Sequence, residues 1–238
     1  MKFIGLALSC FMFFSLTACA DDAATFEAML ALANKGDAEA QYHVGMMYNN
    51  GIGTAQDTRQ AFQWFEKSAS ANDPLGAYKL GCYYGGQGAG VVAANADEAL
   101  KHKLIAANAG YSLAQHDVAV TYARQGNFEE AVKWLKLASA QGYDSSLYGL
   151  SSSYHEGKGV KQDLSLAFAY LKLSMMVSQN ELTESNKAIL DEMIGRMTQA
   201  QVDEAQKLVA EWKPQPSALT IKAMGGIAEA EAYLQKAK

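Results

Sequence analysis

The sequence predicts an all-α fold: a right-handed α-solenoid, or superhelix, of about four helix–turn–helix repeats with capping helices at both ends. Three observations carry this. A tyrosine recurs at Tyr48, Tyr84, Tyr122 and Tyr154, each with the same small-residue pattern before it and an alanine-led block after it. The copies start 36, 38 and 32 residues apart, the period of a stacked supersecondary unit. Alanine is plentiful, and the three prolines all fall between 74 and 216, so long stretches are free of the residue that breaks helices.

The first segment stands outside the fold. Lys2 gives a positive start, and Phe3 to Leu16 is an uncharged apolar run too short to span a bilayer comfortably. Leu16-Thr17-Ala18-Cys19 closes that run and resembles the bacterial lipobox, in which the cysteine becomes the lipidated first residue. Ordinary secretory cleavage at the small-x-small site Ala18-Cys19-Ala20 is the other reading. Residues 1–18 are expected to be a signal peptide of lipoprotein type, with Cys19 the lipidation site. Their loss removes one charged residue, Lys2, and takes the net charge from −5 to −6. A mildly acidic chain with a mixed surface argues against nucleic acid as a partner. No later apolar segment approaches 18 residues, so membrane contact is expected only through the N-terminal lipid. A single acyl chain holds marginally and two or more hold firmly; resemblance to bacterial lipoproteins implies three. Beyond Cys19 the only cysteine is Cys82, so no internal disulfide staples the fold and stability rests on packing.

Residues 19–37 are expected to hold the mature N-terminus and a capping helix over Thr25 to Lys35, which reads as a lone second-block helix. The repeats follow over 38–180, with copies near 40–72, 76–110, 114–142 and 146–178. Three residues before each tyrosine stands Gly45, Gly81, Ala119 or Ser151, and eight before stands Ala40, Gly76, Ala114 or Ser146. Small residues at that spacing share one helical stripe and let a second helix approach closely. The second block opens with Ala61, Ala99, Ala131 or Ala167, followed three residues later by Trp64, His102, Trp134 or Tyr170. Glycine-bearing links join the blocks: Gly51 and Gly53, Gly85 to Gly90, Gly126, and Gly157 and Gly159. Asp57, Asn95, Asn127 and Asp163 stand four before the second-block alanines as N-caps, and Glu98 and Glu130 complete a capping-box pattern.

After Lys172 the repeat fades. Residues 181–214 are expected to cap the stack with amphipathic helices over Glu184 to Arg196 and Thr198 to Trp212, the second N-capped by Thr198 and stopped by Pro214. Residues 215–238 read as a tail with a weak helix broken at Gly225-Gly226: a packed end, a partner-binding arm or a loose tail.

These motifs resemble the Sel-one-like repeat family, a branch of the tetratricopeptide-like α-solenoids. Ala40, Val44, Gly45, Tyr48, Gly51, Gly53, Asp57, Ala61, Trp64, Ser68 and Ala69 fit its pattern nearly throughout, and the copy at 146–175 fits through Tyr154, Gly157, Gly159, Val160, Asp163, Ala167 and Tyr170. The second copy carries an expanded link, and the third lacks the Gly-x-Gly pair. The resemblance covers about residues 25–215 and specifies the fold, not a function.

Chemistry-bearing patterns are sparse. Gly85 to Gly90 follows no strand and precedes no Gly-Lys-Ser/Thr, which reads as a turn rather than a phosphate loop. His43, His102, His116 and His155 show no metal spacing, and His102, standing in for an aromatic, reads as a packing residue. Cys82 reads as a small apolar residue on a first helix. No G-x-S-x-G or S-x-x-K occurs, so no catalytic residue, metal or cofactor is expected. Binding is assigned instead to the first-helix face lining a concave surface: His43, Lys79 and Asp117; Met47, Tyr83, Thr121 and Ser153; Asn50 and Arg124, with Tyr83 and Arg124 as anchors. The expected product is a monomeric scaffold or adaptor in the bacterial cell envelope, binding a protein or peptide. Ala20, in place of an aspartate after the cysteine, points to the outer membrane on its periplasmic side. Two alternatives stand beside it. One is an immunity or inhibitor lipoprotein that neutralises a secreted toxin enzyme. The other is an envelope hydrolase, as linked to cysteine-rich relatives whose per-repeat disulfide this chain lacks.

Overall fold

The second helix of each repeat starts from the same backbone contact. The N-cap residues Asp57, Asn95, Asn127 and Asp163 donate their backbone N–H to the carbonyls of Tyr48, Tyr84, Tyr122 and Tyr154, at 2.9, 2.9, 2.9 and 3.0 Å. Their side chains cap the helix that follows: Asp57 accepts from Arg59 and Gln60, Asn95 from Asp97 and Glu98, Asn127 from Glu130, and Asp163 from Leu166. This corrects the capping-box expectation at Glu98 and Glu130. The N-cap N–H is already engaged by the tyrosine carbonyl, so these glutamates turn to Lys101 and Lys133 one helical turn on.

In this computed structural model the described residues are 9–178 and 184–237, with side chains from 21 and again from 187. The expected signal segment and the Cys19 side chain lie outside the described residues, as does the start of the capping region at 181. Among the described residues every regular element is helical. Two units divide the chain, Met1–His102 with Gly225–Lys238, and Lys103–Met224.

The first unit holds α1 (Ser9–Ala33), α2 (Ala38–Asn50), α3 (Thr58–Ser70), α4 (Pro74–Cys82), a π-turn over Tyr83–Gln87 and most of α5 (Ala96–Asn108), joined by the C-terminal helix α13 (Gly226–Lys236). Its core gathers Phe26, Met29, Ala33, Ala40, Val44, Met47, Trp64 and Ala230. The small-residue stripe works as a contact surface. A Cβ on Gly45 would lie 2.6 Å from the Phe65 ring, and one on Gly76 would lie 2.2 Å from the Ser68 hydroxyl. The described part of α1 behaves as a second-block helix, as its sequence suggests: Phe26 packs edge-on against Tyr48, with ring centroids 5.2 Å apart. Gly53, at φ 68°, presses against the Asp22 carbonyl, and Gly159, at φ 72°, presses against the Phe128 carbonyl. Thus the first link meets the middle of α1 at Asp22, as the fourth meets Phe128 at the start of the second helix before it.

The second unit holds α6 (Ser112–Arg124), α7 (Phe128–Ala140), α8 (Asp144–Glu156), α9 (Leu164–Ser178), α10 (Glu184–Gly195), α11 (Gln199–Glu211) and α12 (Ala218–Met224). Leu147, Leu150, Ala167 and Leu173 are fully enclosed in its core, with Leu190, Met193, Ala205 and Val209 supplied by the capping helices. Thr198 and Gln201 form a reciprocal capping box at the start of α11. That helix runs alongside α9 in the same direction: Gln201 and Glu204 meet residues 161–165, and the chain after its far end brings Pro214 against Gly142. The segment beyond is built into the unit. Gln215 N donates to Ala140 O, Ser217 Oγ to Gly110 O, and Thr220 Oγ1 to Gln141 Oε1, while Thr220 Oγ1 also accepts from Ser112 N.

Candidate functional site

The first-helix positions assigned to a partner fall into two groups. In the first unit three of them are enclosed, which corrects their assignment to an open face. Met47 is 2% exposed within the core. Tyr83, also 2% exposed, packs against Phe62 and Phe65 and donates its hydroxyl to Asn49 Oδ1 at 2.8 Å. Burial raises its phenol pKa, with the Asp57 charge adding to the effect. His43 is buried between Tyr42 and Tyr233, with Nε2 3.8 Å from Glu39 Oε1. Asn50 is exposed at the end of α2, accepting from Asn49 Nδ2, and Lys79 is half-buried on α4. His102 packs as expected: it stacks on Tyr84 at 5.9 Å and 5°, just as Tyr170 stacks on Tyr154 at 5.8 Å and 6°. Cys82 is buried, as its reading as a small apolar residue implies.

In the second unit the face carries charge. Lys103 Nζ meets Asp117 Oδ2 at 2.7 Å, both partly buried. Thr121 donates to the Asp117 carbonyl and Ser153 to the Gly149 carbonyl, so both hydroxyls are turned onto their own helices. Arg124 is exposed. Next to Asp117, His116 Nδ1 lies 2.9 Å from Ser146 Oγ, and its ring meets Tyr143 at 4.9 Å. Burial pushes the imidazole pKa down, partly offset by Asp117 and Asp144; burial pushes the Tyr143 phenol up, with the same two carboxylates adding to it. The Ser146–His116 spacing is that of a nucleophile and its base. Ser146 is fully enclosed, however, so the pair ties α6 to α8 and leaves no room for a substrate. Among the described residues no group of three or more His, Cys, Asp or Glu is placed to hold a metal ion, and no helix is long and apolar enough to cross a membrane.

One position was not assigned from the sequence. Six residues before the repeat tyrosines stand Tyr42, Tyr78, His116 and Tyr148. Tyr42 and Tyr78 are buried and His116 is half-buried, whereas Tyr148 is 57% exposed. It lines a groove of about 250 Å³ with Leu171 and Met175 as apolar wall and Asp144, Ser145, Ser174 and Ser178 as polar rim. The signal was present in the alignment of the four copies: the last has no further repeat after it to cover that register.

Helix pairs in register and links closed on a repeat tyrosine define a helical-repeat protein. The Sel1 repeat family matches residues 38–73, 74–111, 112–143 and 144–174, and the chain belongs to that family. Its members are generally protein-interaction modules and typically non-enzymatic scaffolds. Among curated proteins it is similar to putative sel1-like repeat-containing protein L21 of Acanthamoeba polyphaga mimivirus, 34% identical over 134 residues, covering 56% of this chain and 24% of the relative. It is also similar to putative sel1-like repeat-containing protein L18 of the same virus, 43% identical over 44 residues, covering 18% and 8%. The chain therefore matches a quarter or less of these relatives' length. A solved Sel1 repeat protein from Oxalobacter formigenes shares the fold, with a TM-score of 0.63 at 23% identity, covering 72% of this chain and 49% of the other.

Proposed function

We propose that the chain is a non-catalytic protein-binding module of the bacterial cell envelope, monomeric and lipid-anchored through Cys19 to the outer membrane on its periplasmic side. It receives a peptide or exposed loop of a partner protein on the first-helix face of its third and fourth repeats. The observation that carries this is Tyr148. It is the one member of its register left open, and it stands in a groove whose volume suits a single apolar side chain better than a small-molecule ligand. Exposed aromatics beside an apolar wall are typical anchor points of protein interfaces, and Arg124 adds an exposed cation at the end of the preceding first helix. The anchor reading is supported by the Leu16-Thr17-Ala18-Cys19 string. It would leave only Ala20 and Asp21 between the lipid and Asp22, where packing against Gly53 begins.

The test is capture from envelope extract with the mature chain as bait. A partner held by wild type and lost at least tenfold by Tyr148→Ala is expected. A partner retained equally by Tyr148→Ala and Arg124→Ala would place binding elsewhere. The anchor is tested separately: fatty-acid labelling should vanish in Cys19→Ser, and labelling that persists would refute it.

A further inference from the structure

The C-terminal helix occupies the first repeat in the manner of a bound ligand. α13 presents Ile227, Ala230, Tyr233 and Leu234 to the core built from α1, α2 and Trp64 of α3. Their spacing of i, i+3, i+6 and i+7 makes one helical stripe, the pattern of an amphipathic helix laid in a groove. Ala230 is 1% exposed and marks the closest approach. Tyr233 Oη donates to Asp37 Oδ2 at 2.7 Å, while Asp37 Oδ1 accepts the Ala40 N–H and caps α2. The latch thus lands on a carboxylate already held in place by the repeat. That carboxylate and burial both drive the Tyr233 phenol pKa upward.

The seat fits imperfectly. His43 is 5% exposed beside Tyr233, and its Nε2 makes no hydrogen bond, Glu39 Oε1 standing 3.8 Å away. A buried polar atom without one is costly, so a helix that offers this imidazole a polar group would fit better than α13 does. The connection is also suited to release. α13 follows Gly225-Gly226, and Gly226 is exposed at φ 58° with open space where a Cβ would stand. Before that junction, Ser217 and Thr220 are hydrogen-bonded within the second unit, to Gly110 and Gln141.

We propose that the α1–α2 face of the first repeat is a helix-binding groove that α13 fills as a displaceable placeholder. The partner it accepts is an amphipathic helix with apolar residues at i, i+3, i+6 and i+7 and a polar side chain set to meet His43. This rests on reading the chain as a protein-binding module, and adds to it a gated second face.

The probe is a fluorescein-labelled peptide of residues 226–238, titrated into the full chain by fluorescence anisotropy. Wild type, with its groove occupied, is expected to bind at least tenfold more weakly than Ala230→Glu, in which the tethered helix is expelled and the peptide can take its seat. Equal binding by the two, or no binding by an Ala230→Glu chain that still unfolds cooperatively in urea, would overturn the proposal. Should Ala230→Glu fail to fold, Tyr233→Phe decides, because it keeps the apolar stripe and the α2 cap. Faster amide exchange confined to α13 is expected; loss of protection in α2 together with α13 would make α13 a fixed part of the core and sink the idea. A chain that binds the peptide yet captures no partner through Tyr148 fails the earlier reading alone.

Discussion

At the scale of single residues, Gly159 and Gly126 share a left-handed backbone and differ in surroundings. Gly126, at φ 79°, has open space where a Cβ would stand; at Gly159 that Cβ would lie 2.2 Å from the Phe128 carbonyl. Gly126→Ala is therefore expected to cost about 1 kcal/mol of backbone strain. Gly159→Ala adds a backbone collision and is expected to exceed it by at least as much again, read as a larger drop in urea midpoint. The histidines give a pH signature. Burial lowers the pKa of both His102 and His116 below the ordinary 6.5. The unfolded chain binds the extra protons, so this contribution to stability is present above about pH 6.5 and is lost as pH falls toward the folded-state values. The His102→Gln, His116→Gln double variant should show a flatter stability profile between pH 7 and 5.5; an unchanged slope would show that other groups set it.

The elements themselves were largely legible, because their signals are local. Tyrosine, small stripe, link glycine and N-cap recur at fixed offsets, and each copy folds by the same rules. Asp163→Ala should cost about 1 kcal/mol through loss of its bond from the Leu166 N–H, and Asp163→Asn should restore most of it. Recovery is measured by the same urea titration; an Ala variant as stable as wild type would show the backbone bond to Tyr154 suffices. What was less legible depends on packing between elements. Met47 and Tyr83 stand one residue before the repeat tyrosines, where helical periodicity alone suggested an outer face. In the first two copies those large side chains turn inward, while Thr121 and Ser153 remain half-buried in the other two. The small stripe showed where helices touch; it did not show how far around each helix the contact extends. Tyr233 illustrates the same limit: its partner Asp37 lies 196 positions away.

At the scale of the whole molecule, each unit carries its own fluorescent reporter. Trp64 lies in the core of Met1–His102, and Trp134 and Trp212 pack on that of Lys103–Met224. Leu173 is fully enclosed, and truncating such a side chain costs about 2–5 kcal/mol. Leu173→Ala in a Trp64→Phe background should therefore lower the midpoint seen through Trp134 and Trp212; an unmoved midpoint would mean the site collapses to fill the void. Stability here is summed from repeated helix pairs and their neighbours. Tyr48 to Asp57, Tyr84 to Asn95, Tyr122 to Asn127 and Tyr154 to Asp163 differ in length, yet each excursion is closed by one N–H on one carbonyl. That bond involves no side-chain atom. The closure therefore tolerates links of different length, and where the chain between its ends is also open, as at Gly86 and Gly90, it can take an insertion: the longest excursion, around Ala89, is a natural graft point where a foreign sequence inserted as a loop would leave the helices on either side in register.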